Sequence, residues 1–250
     1  MNKKTLLLLL SSIIFLVSDA QVDNYLKEAR QLRDSYKDRE ALGKFKQVLV
    51  FDANNLEALC NVSILSSKLG KREADKQKQK DYYYNAKTYA QKALKVNSND
   101  VESNFSMALA MGRMAQISPT NEKVAAVRDI KKFAETALKI NSKHAASWHL
   151  LAIWNLDVSN LNYAEKKAAD WFFGGIPDAS KSKAIECCIN AIKYNPTYLL
   201  YQYDMARIYL ESGDKTKAKE VLNKLVKQKP VTPDDPGMLE NAKKMLNDIK

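Results

Sequence analysis

The residue types that most often do chemistry are scarce in this chain of 250 residues, which holds two histidines and three cysteines. His144 and His149 stand five apart, a spacing that puts them on different faces of a helix. Neither has a cysteine or second histidine at a spacing that would close a zinc site. Cys187 and Cys188 are adjacent within one apolar helical pattern, where a bond between them would strain the backbone, and Cys60 lies in another such pattern. All three are expected to serve as small buried hydrophobes. The carboxylates of Asp234 and Asp235 fall in a turn before a helical pattern, a place where such pairs cap helices more often than they transfer protons. No glycine-rich phosphate loop and no nucleophile elbow occurs. The expectation is a chain without catalytic residues, metal or cofactor.

Recognition chemistry is better represented. Forty basic against 29 acidic residues give a net charge of +11, a balance that favours anionic partners without naming one, and equally suits a lysine-rich surface that keeps helices soluble. Arg72, Lys76 and Lys80 recur every four residues, so one helix through them would carry a basic stripe. No nucleic-acid partner is expected.

These side chains must be positioned by helices. Seven glycines and six prolines are too few for a strand-rich barrel or sandwich, and 46% apolar residues argue against disorder. A phrase also repeats: AKTYAQKALKVNSND begins at residue 86, IKKFAETALKINSKH at 130 and AIECCINAIKYNPTY at 184, with looser copies from 41 and 218. Small residues recur where two helices must cross closely and larger ones fill the gaps. The pattern resembles the tetratricopeptide repeat, best over Tyr203, Ala206, Gly213, Ala218, Leu222 and Pro230 and over Trp148, Leu151, Ala152, Ala184, Cys188, Ala191 and Pro196.

The resemblance implies an all-α fold, a right-handed superhelical solenoid of about five helix pairs over residues 21–250. Residues from about Pro236 onward form a capping helix. Turn positions at Ala53, Ser98, Ser142, Pro196 and Pro230 are unevenly spaced, which implies insertions around Lys71 to Asp81, Ile117 to Lys123 and Asn160 to Lys183 that lengthen helices or add new ones. In such a repeat the first helix of each pair lines the concave face. Counting from the matched positions puts Cys60, Ile64, Phe105, Leu109, His149, Ile153, Leu156, Tyr203, Arg207 and Leu210 there. Most are apolar, and cations that would clamp a peptide carboxylate are few. Such a groove suits an amphipathic helix or an acyl chain.

A narrower resemblance rests on Phe173-Gly174-Gly175-Ile176-Pro177, Ser180, Asn195-Pro196 and Pro230-Val231-Thr232-Pro233-Asp234-Asp235. From Trp148 to Ile249 the chain is similar to the regulator of microtubule dynamics family, whose animal members are associated with microtubules and with contacts between organelle membranes. What that resemblance implies here is limited by the amino terminus. Lys3 and Lys4 precede thirteen largely apolar residues, Thr5 to Val17, and Ser18-Asp19-Ala20 offers a small-residue cleavage site, so residues 1–20 read as a signal peptide cut after Ala20. An exported chain, periplasmic or secreted, is not expected to meet tubulin. The reading is an exported, non-catalytic scaffold for an unknown protein partner; a carrier of lipid or another amphiphile is the alternative.

Overall fold

The computed structural model describes residues 20–249 apart from 164, 168–170, 172–174 and 176–177, and of residues 120–125 it describes the backbone alone. The expected signal peptide through Asp19 and most of the FGG-x-P element therefore lie outside the described residues, which contain helices and no strand. Contacts divide the chain into two units, one ending at Ser98 and one starting at Asn99.

In the first unit a helix over residues 20–34, α1, precedes α2 (Asp38–Phe51), α3 (Leu56–Arg72) and α4 (Lys76–Val96). Helix α3 packs on α2 and along α4. The core takes Leu26 and Ala29 from α1, Leu42, Phe45 and Val48 from α2, and Val62 and Leu65 from α3. Spacings of three place each set on one helical face. Gly70 explains how closely α3 and α4 approach, since a Cβ there would stand 2.6 Å from the Tyr83 ring and 2.9 Å from Tyr82 Cβ.

The second unit repeats one plan three times. Helices α5 (Val101–Ile117) and α6 (Thr120–Ile140) form a pair, as do α7 (Ala145–Ser159) and α8 (Lys181–Tyr194), and α9 (Leu199–Glu211) and α10 (Lys215–Leu225). Each second helix leans on the first helix of the next pair, and successive first helices touch. This is an all-α helical repeat of the tetratricopeptide kind. The expected crossing residues Ala191 and Ala218 are fully buried, with no room for a longer side chain.

Polar side chains start five helices, two of them after the repeating turns at Ala53 and Ser98; the helices after the turns at Ser142, Pro196 and Pro230 start without a side-chain cap. Asn55, Asp75, Asp100, Ser180 and Asp214 each accept a hydrogen bond from a backbone N–H in the following helical turn, satisfying donors that a helix start leaves open. Gly213, at φ +85°, takes the left-handed position after α9 that side chains resist. The PVTPDD turn holds α11 (Asp235–Asp248). There the buried Asp235 carboxylate accepts from the Val231 and Thr232 backbone N–H groups, both at 2.8 Å, and from Thr232 Oγ1 at 2.7 Å. Met238, Leu239 and Ala242 then cover the Leu199, Leu222 and Leu225 end of the last pair, as a cap should.

The first two expected insertions are lengthened helices: α4 and α6 each run to 21 residues, the longest here. Of the third, Gly175 is described, at φ +99°, and its carbonyl accepts a hydrogen bond from Arg128 at 2.8 Å.

Candidate partner-binding face

On α5, α7 and α9 the four-residue spacing aligns Phe105 with Leu109, His149 with Ile153, and Tyr203 with Arg207, Leu210 completing the last row. All seven side chains are half-buried. Ionic and aromatic contacts join these three helices into one continuous face. The Phe105 ring meets the His144 ring edge to face at 5.1 Å between centroids, and His144 Nε2 lies 3.1 Å from Glu102 on α5. From α7, His149 Nε2 reaches Asp204 Oδ2 on α9 at 2.8 Å, with its ring 4.6 Å from that of Tyr201. Arg207 donates to the other Asp204 oxygen at 2.7 Å and stands 3.9 Å from Glu211.

Asp204 is therefore the hub of the α7–α9 contact, though only 5% exposed. Burial alone would raise its pKa. The hydrogen bond and charge of His149, joined by the charge and hydrogen bond of Arg207, outweigh that and hold the carboxyl below its usual range. Sequence reading found His149 and Arg207 and missed their shared partner. The available signal was the Asp204–Arg207 spacing of three inside an otherwise apolar helix.

Several expected site residues lie elsewhere. Leu156 is 1% exposed and packs in the core with Leu151, Ala152, Ala184 and Cys188, so it lines no accessible surface. Cys60 is equally enclosed, against Leu59 and Ala93. Ile64 is half-buried but belongs to the first unit. The basic stripe is broken, because Arg72 is the last residue of α3 and Asp75 caps a new helix in which Lys76 comes first. Arg72 instead reaches back to the buried Asp38 carboxylate at 2.6 Å, while Lys76 and Lys80 are exposed on α4. Burial lifts the Cys187 thiol to about 11 and raises that of Cys188 as well, leaving both poor nucleophiles.

A cleft of about 600 Å³ lies between α6, α7 and α8, with Leu138, Trp148 and Leu151 in its lining and its charges balanced, Lys131, Lys139 and Lys183 against Glu135, Asp178 and Glu186.

A model of the regulator of microtubule dynamics protein 1-3 family matches residues 25–250. Regulator of microtubule dynamics protein 1 of Caenorhabditis elegans is 24% identical over 56% of this chain and 62% of its own length. The Bos taurus protein of that name is 22% identical over 89% of this chain and 68% of its own length. The matched region of the mouse protein 2 is 43% of that relative's length, so the chain corresponds to part of such proteins. Among solved structures, a thermophilic TPR protein of Thermus thermophilus superposes with a TM-score of 0.67 at 15% identity, covering 90% of this chain and 99% of that one. That likeness is one of fold.

Proposed function

The chain belongs to the regulator of microtubule dynamics protein 1-3 family, and from that premise we propose that it is an exported, non-catalytic scaffold that docks a protein partner on the α5–α7–α9 face. The observation carrying the reading is that Phe105, Leu109, Ile153, Tyr203 and Leu210 remain half-buried although His149 and Asp204 tie α7 to α9 and His144 and Glu102 tie the start of α7 to α5. A rigid face with apolar side chains still in reach of solvent is suited to binding. Absence of catalysis is supported by the state of the reactive groups: the histidines are engaged with carboxylates and two thiols are disfavoured as thiolates.

The names of the relatives refer to microtubule dynamics. Residues 1–20 favour an exported partner over tubulin for this chain, because the basic, apolar and small-residue segments follow the order of a signal peptide. A second reading, a carrier of lipid or another amphiphile, has one observation in its favour: the α6–α7–α8 cleft offers Leu138, Trp148 and Leu151 to an apolar chain, while its three lysines are matched by Glu135, Asp178 and Glu186 and so favour no particular charge of headgroup.

Purification from the native host tests these readings together. The proposal expects an intact mass beginning at Gln21 and a stoichiometric protein partner. A retained leader would overturn export, and stoichiometric lipid on organic extraction without a protein partner would replace the scaffold by a carrier.

A further inference from the structure

The charges of the second unit are sorted by helix. Helices α5, α7 and α9 contain no lysine; they carry Glu102, Asp157, Asp204 and Glu211 against Arg113 and Arg207. Their partners α6, α8 and α10 carry twelve basic residues against five acidic ones. In a chain of net charge +11, the half-buried apolar rows thus lie on the helices with an acidic balance. Arg207 is engaged by Asp204 and Glu211; Glu102 has His144 beside it and Glu211 has Arg207 and Asn160, yet these two glutamate side chains remain 50% and 37% exposed, with surface left for a second cation.

From this we infer that the α5–α7–α9 face selects an amphipathic helix whose apolar stripe is flanked by lysine or arginine, and rejects one flanked by acidic residues. The apolar rows would take anchors spaced three and four apart, and the carboxylates would choose the sign of the flanks. The inference rests on the reading of this face as the docking surface and adds the chemistry of its partner.

Three labelled helical peptides of about 18 residues, five turns of helix, test it, with one leucine stripe and flanks of lysine, glutamine or glutamate, titrated against the mature protein by fluorescence anisotropy. The lysine-flanked peptide is expected to bind about tenfold more tightly than the glutamate-flanked one, as two or three partly exposed charge pairs would give, with the gap narrowing as salt rises. That order would run against the attraction of a net positive protein for acidic peptides, so it would report the local face. In the Glu102→Lys/Glu211→Lys double variant the preference should reverse. Equal or tighter binding of the glutamine- or glutamate-flanked peptide to the unaltered protein overturns the inference and leaves the docking reading standing. Failure of all three to bind also overturns it, and the docking reading is then decided by whether a native partner co-purifies.

Discussion

Asp204 joins α7 to α9 through His149 and holds Arg207 on its own helix. It is almost wholly buried, and without His149 and Arg207 its charge would be a large liability. A group whose folded pKa is depressed stabilises the fold above its ordinary value near 3.9 and loses that contribution as pH falls through the lowered folded value. Asp204→Ala is therefore expected to cost about 3 kcal/mol at neutral pH. The gap in thermal midpoint between this variant and the unaltered protein should persist down to the normal carboxylate range and narrow below it. A gap that stays constant at still lower pH would show that the carboxylate charge is not what holds α7 to α9. At this scale the sequence was partly legible. His149 and Arg207 stood out as polar positions on an otherwise apolar face, but the carboxylate between them comes from packing α9 against α7, a pairing that no spacing within one helix reveals.

Helices and their crossings were more legible, because the cause is local. Small residues at Ala191 and Ala218 mark close approaches and are fully buried, and the turns at Ala53 and Ser98 lead into side-chain caps at Asn55 and Asp100. The basic stripe failed for an equally local reason: Glu73-Ala74-Asp75 separates α3 from α4, and the Asp75 side chain accepts from the N–H groups of Gln77 and Lys78 at 2.8 and 3.1 Å, a cap that four-residue spacing overlooks. Leu156 shows the other limit. It lies only three residues after Ile153, yet that rotation takes it from the half-exposed row into the core. The α3–α4 crossing gives a direct prediction. Gly70→Val must push against the Tyr83 ring and is expected to lower stability by about 2 kcal/mol, while adding Tyr83→Leu should recover part of that loss. A double-mutant cycle in urea measures the coupling; strict additivity would mean that the two helices are not held apart by this contact.

For the whole molecule, repeat architecture was readable because each pair solves the same packing problem with the same residue types, and a cap is needed wherever the stack ends. The partner was less readable, since a protein's target is written in the surface left over after packing. Here that surface is a face built from three helices whose charge differs from that of the rest of the unit. The claim that it is a docking face, and not merely the inner side of the core, is tested most directly by Leu109→Asp and Ile153→Asp, each measured for partner retention, helicity and thermal midpoint on the same preparation. Both variants are expected to keep their helicity and melt within a few degrees of the unaltered protein while losing the co-purifying partner. Variants that unfold, or that fold and retain the partner at full stoichiometry, would contradict it.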